Sequence, residues 1–160
     1  VARRSTPVGL ALTVLFAAGC GGSSPATTHT SAPPPEAQTR QELPAIEAQF
    51  KQAANAIGAA IVRAPRQNNF QIASSFSALA AKWQVPLGRL QTLTAPAKAR
   101  AEFAALVRAA TQAEADLRAL STAARAGNAS AARKASAGLV RSIEQAQGAS
   151  TRIDGALGLP

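Results

Sequence analysis

The sequence predicts an all-α domain: an antiparallel up-down-up-down four-helix bundle, its second helix kinked at Pro86. Three observations lead there. Alanine occupies 41 of the 160 positions, and it has the best helix propensity and lets helix backbones approach closely. Apolar residues recur at steps of three and four through four successive stretches between residues 41 and 157. Alternating β-branched runs are scarce, which argues against a sheet. A domain of this size has room for one continuous core.

The first helix is expected over about 41–64, with Leu43, Ile46, Phe50, Ala53, Ile57 and Ala60 or Ile61 on one stripe. Pro65 and the polar Gln67-Asn68-Asn69 stop it, and Asn68 or Asn69 can cap the next. The second helix, about 69–93, carries Phe76, Leu79, Ala80, Trp83, Leu87 and Leu90. Pro86 removes one amide donor there, so a kink or short break is expected between Lys82 and Gly88. A bad split at Pro86 would leave an extended three-helix arrangement instead. Thr94-Ala95-Pro96 reads as the start of a third helix over about 96–126, patterned on Phe103, Leu106, Ala110, Ala113, Leu117 and Leu120. Gly127 ends it, and Asn128 caps a fourth over about 129–156, patterned on Ala135, Leu139, Ile143, Ala146 and Ile153. Short connections make consecutive helices antiparallel.

The first forty residues lack this periodicity. Arg3 and Arg4 precede an apolar run from Val8 to Ala18, much shorter than the roughly 20 residues that span a bilayer. The run ends in Ala17-Ala18-Gly19-Cys20, which resembles the lipobox of bacterial lipoprotein signal peptides, although Ala17 stands where Leu is commonest. That resemblance implies removal of residues 1–19 as a signal peptide, with lipid added at Cys20. An ordinary secretory signal beside a free cysteine is the alternative, and the route of export, general or twin-arginine, stays open. Residues 20–40 then read as the lipidated cysteine and a flexible Ser/Thr/Pro-rich tether, with His29 as a solvated linker residue.

Composition excludes much chemistry from the helical domain. The chain has one Cys, one His and no Met, and both Cys20 and His29 precede the helices. Haem ligation, a Glu-x-x-His di-iron site, a Cys/His zinc site and a His-assisted nucleophile therefore have no residues to build on. No cofactor, metal or catalytic residue is expected. The domain carboxylates are expected mostly to face water and pair locally, as Glu114 can with Arg118 one turn on.

Charge is uneven. No acidic residue lies between Glu47 and Glu102, while Lys51, Arg63, Arg66, Lys82, Arg89, Lys98 and Arg100 do. In an up-down bundle Arg63 and Arg66 would lie near Arg125, Arg133 and Lys134, forming a basic tip. It is a candidate anion-binding surface for anionic lipid, an envelope polyanion or an acidic protein. The alternative is a solvated face that keeps the domain soluble. Nucleic acid is not expected, because stacking aromatics are lacking. Trp83, with Phe76, Leu79 and Leu87, reads first as core, and beside Pro86 as a candidate ligand pocket.

Around Gly19-Cys20-Gly21-Gly22, Leu90 to Pro96 and Ala123 to Asn128, the chain resembles Ala/Arg-rich helical lipoproteins of high-GC Gram-positive, actinobacterial-type bacteria. The resemblance implies an anchored helical domain and no particular activity. The expected function is a non-enzymatic interaction or structural module of the cell envelope, on the outer face of the cell membrane. A small-ligand or lipid-binding bundle is the alternative, and an enzyme without a visible motif is the third. Oligomeric state has no signature in the sequence.

Overall fold

Each of the four periodic stretches folds as one helix. In a computed structural model that describes residues 35–159, α1 spans Pro35–Arg63, α2 Asn69–Thr92, α3 Arg100–Arg125 and α4 Ala129–Leu157. Single 3-10 turns occupy Ala64–Arg66 and Ala97–Ala99. The described residues contain no strand, and none of their helices is long and apolar enough to cross a membrane. The stretch read as a signal peptide, Cys20 and His29 lie outside the described residues.

Two boundaries differ from expectation, one through contacts between residues far apart in sequence and one through the local backbone. Helix α1 begins at Pro35, inside the stretch read as tether. Its first turns dock on the α2–α3 connection: Glu36 accepts the Ala97 N–H at 2.7 Å, and the buried Thr39 hydroxyl donates to the Thr94 carbonyl at 2.8 Å. Helix α3 begins at Arg100 rather than near 96, because Pro96 is extended and a 3-10 turn intervenes.

Caps set the other end of the bundle. Asn68 accepts from the Gln71 N–H at 2.9 Å and the Gln71 side chain accepts from the Asn68 N–H at 3.0 Å, closing a capping box on α2. After α3, Gly127 adopts φ +64 while Asn128 N–H reaches Ala123 O at 2.9 Å, a Schellman turn that an L side chain would strain. Asn128 immediately caps α4 by accepting the Ala131 N–H at 2.9 Å. Helix α2 runs through Pro86 without a break, and the ring of Pro86 is buried.

The core is one cluster drawn from all four helices. Trp83 is its largest fully buried side chain, 1% exposed, with its indole N–H given to the Ala110 carbonyl of α3 at 2.8 Å. Phe50 of α1 stacks at a tilt on that indole, ring centroids 4.8 Å apart. Helix α3 packs closely on both α2 and α4, and α1 packs on α2. Helices α1 and α4 hardly approach one another along their backbones, which leaves the bundle open along that seam.

One carboxylate is built into the α3–α4 interface, against the expectation that the acids mostly face water. Asp116, 9% exposed, accepts from Gln112 Nε2 at 3.1 Å and lies 3.2 Å from the Ser142 hydroxyl. Gly138 makes the room: a Cβ there would sit 2.9 Å from Asp116 Oδ1. An interior helix glycine costs about 1 kcal/mol against alanine, so this one is accounted for by the carboxylate it accommodates. Glu114 meets expectation by pairing with Arg118.

Candidate functional sites

The α1–α2 and α3–α4 connections lie side by side at one end of the bundle. A Cβ on Gly127 would be 3.4 Å from the Asn69 side chain, and the two connections share an apolar depression of about 540 Å³. Ile61, Pro65, Ile72 and Phe76 line it from one side; Leu120, Ala132 and Arg133 line it from the other.

All five cations expected at this tip are exposed. Arg63 and Arg66 flank the first connection. Arg125, Arg133 and Lys134 flank the second, and Arg125 turns toward the α2–α3 groove beside Ser77 and Gln84. The Nε atoms of Arg63 and Arg133 bond back to Ala59 O and Ala129 O, at 3.2 and 3.3 Å, which steadies both guanidinium groups.

The charge division extends beyond the tip. Residues 48–82 and 129–143, the tip halves of α1, α2 and α4, hold Lys51, Arg63, Arg66, Lys82, Arg133, Lys134 and Arg141 and no carboxylate, and the tip half of α3, residues 113–125, holds Arg118 and Arg125 with Glu114 and Asp116. The other six acidic residues fall in the opposite half; of the two in α3, Glu114 is paired with Arg118 and Asp116 is buried. Two large apolar side chains stand exposed beside the first connection: Val62 at 78% and Phe70 at 76%. Sequence reasoning missed them. Their signal was an apolar residue off the helix stripe on each side of a basic turn.

The residues read as a ligand pocket separate. Phe76, Leu79, Trp83 and Leu87 are all buried in the core. Phe76 reaches the floor of the tip depression, and Leu87 borders a shallow surface dent near Gly88. Only Trp83 borders a second cavity, of about 410 Å³, lying in the open seam between α1 and α4 rather than at Pro86.

The floor and walls of that cleft are Trp83, Leu106, Ala110, Phe50, Ala54, Ile143 and Ala146. Its mouth carries Glu47 and Lys51 from α1 and Ser150 and Asp154 from α4. The Ser150 hydroxyl donates to Glu47 Oε1. Burial, and then the nearby Asp154 charge, push the Glu47 carboxyl above its ordinary 4.5, although the Ser150 bond opposes them. Burial also pushes Asp154 upward.

A carboxyl with a raised folded-state pKa binds its proton more tightly folded than unfolded. Its effect on stability is therefore favourable at low pH and is lost as pH rises past 4.5 toward the raised value. Glu47→Gln is expected to melt higher than the parent at pH 7, with the gain vanishing as pH falls below 4.5. Thermal melts across that range check it; a variant that melts lower at pH 7 would count against the sign.

Among the described residues no group of three or more His, Cys, Asp or Glu could hold a metal ion. No protein-family model matches the chain, and neither does any curated protein or solved structure.

Proposed function

We propose that this protein is a non-enzymatic interaction module of the cell envelope, lipid-anchored through Cys20 on the outer face of the cell membrane, whose tip docks on an anionic lipid surface. The tip carries the reading. It joins a strongly cationic half-bundle, whose two carboxylates are the paired Glu114 and the buried Asp116, to exposed Phe70 and Val62 beside an apolar depression.

The apolar pair favours a bilayer over a soluble polyanion. Cations alone serve either surface, but only a membrane interface offers a place to bury Phe70 and Val62. Reach is compatible with the anchor. The tip lies opposite the end where α1 begins, about 36 Å away along a helix of 24 residues. The 15 residues from Cys20 to Pro35 can span at most about 50 Å, enough for the bundle to tip over onto its own membrane.

Sedimentation of residues 32–160, which form one compact unit, with lipid vesicles tests this. Binding to phosphatidylglycerol-containing vesicles is expected, weakening as salt rises from about 0.1 M toward 1 M. Equal binding to purely zwitterionic vesicles, or no binding to either, would sink the reading.

A further inference from the structure

The cleft between α1 and α4 has a chemistry opposite to that of the tip. Its apolar interior is closed at the bottom by Trp83, whose one donor is already given to Ala110 O. With 1% of its surface exposed and Phe50 packed on it, the indole closes the floor, and Phe50, Ala54 and Ile143 are the partly exposed apolar lining. At the mouth, the Ser150 proton is already directed to Glu47. The remaining hydroxyl there, on Thr151, donates to its own helix at Gln147 O, 3.1 Å away.

Two carboxylates face this space from different helices. Among the described residues neither Glu47 nor Asp154 is ion-paired, and Asp154 Oδ1 is buried with no hydrogen-bond partner. Lys51, the one cationic side chain of the lining, is exposed. Buried acceptors without donors cost free energy, and like charges held together cost more. A ligand that brings N–H donors and positive charge relieves both costs.

We propose that the α1–α4 cleft binds an organic ammonium compound, its N–H-bearing head between Glu47 and Asp154 and its apolar body against Phe50, Ala54 and Ile143, over the floor that Trp83 closes. A fatty acid or phosphate ester would put a third negative charge at the mouth. A quaternary ammonium would leave Asp154 Oδ1 without a donor. A bare metal ion would find too few ligands and an apolar floor. The volume, about 410 Å³, suits a small molecule. This site stands apart from the tip and does not depend on membrane docking.

The chain carries a single tryptophan, and it lies in the cleft wall, so its emission reports occupancy. Residues 32–160 would be titrated at neutral pH with decylamine, 1-decanol and decanoate, each below its self-assembly concentration, with calorimetry in parallel. Decylamine is expected to saturate, shift the emission and bind at least about tenfold more tightly than decanol, with decanoate weakest. The double substitution Glu47→Gln and Asp154→Asn keeps shape and removes charge; it should bring decylamine down to the affinity of decanol. Ala54→Leu, which fills the cleft without touching its charge, should weaken both. The proposal is overturned if decanol matches decylamine on the parent chain, if the double variant keeps the preference for the amine, or if decylamine does not saturate.

Discussion

Trp83→Ala is expected to destabilise the bundle by about 3–5 kcal/mol, the range for removing a large aromatic from a packed core. The side chain is 1% exposed, contacts Phe50 of α1 and is bonded to α3 through Ala110 O, so α1 and α3 lose a shared partner on α2 at once. Ordinary domains are stable by only about 5–15 kcal/mol, so the loss should show as a fall of roughly 10–20 °C in melting temperature. Trp83→Phe retains most of the ring and forfeits chiefly the hydrogen bond; it should cost about 1–2 kcal/mol. Calorimetric melts of the three proteins check the ranking. An alanine variant that melts within a few degrees of the parent would mean that the indole is not the keystone of this core.

The second large effect concerns binding. Replacing Arg63, Arg66, Arg125, Arg133 and Lys134 together by glutamine should weaken attachment to anionic vesicles by roughly a thousandfold. Each cation near such a surface contributes about 1 kcal/mol, and tenfold in affinity corresponds to about 1.4 kcal/mol. All five side chains are exposed, so helix content and melting temperature should change little. Glutamines at Lys98, Arg100, Arg108 and Arg152, in the half that also holds most of the carboxylates, supply the control: binding should stay within about threefold, because that half presents no single-sign surface. Equal losses from both sets would mean that net charge alone attracts the membrane.

The four helices were legible because periodicity is a local property. Steps of three and four from Leu43 to Ile57 or from Phe103 to Leu120 need no knowledge of the partner face. The stops at Gly127 and Asn68 were equally local, since each rests on one residue's backbone freedom or side-chain oxygen. The early start of α1 was not legible: it depends on Glu36 and Thr39 meeting a connection some 60 positions away. The cleft was hidden for the same reason. Glu47 and Ser150 are 103 positions apart, and nothing in either segment says that α1 and α4 stand open where these residues face each other. Asp116 did leave a trace. It lies three residues after Ala113 and four before Leu120, on the buried stripe, opposite an otherwise costly interior glycine.

The tip was legible in its charges and illegible in its apolar part. Arg63, Arg66, Arg125, Arg133 and Lys134 follow from antiparallel topology, whereas Val62 and Phe70 could be known as exposed only once their helices had packed. Those two side chains turn a basic surface into one suited to an interface, and they carry the most direct test. Spin labels would be placed singly at Phe70→Cys and at Thr151→Cys, the latter on an exposed position of the carboxylate-bearing half, in residues 32–160 bound to phosphatidylglycerol vesicles. Accessibility to oxygen and to a polar relaxant measures depth at each label. The label at 70 is predicted to lie below the headgroups, about 5–10 Å deep, while the label at 151 stays in water. A label at 70 as water-exposed as that at 151 would contradict the docking of this tip.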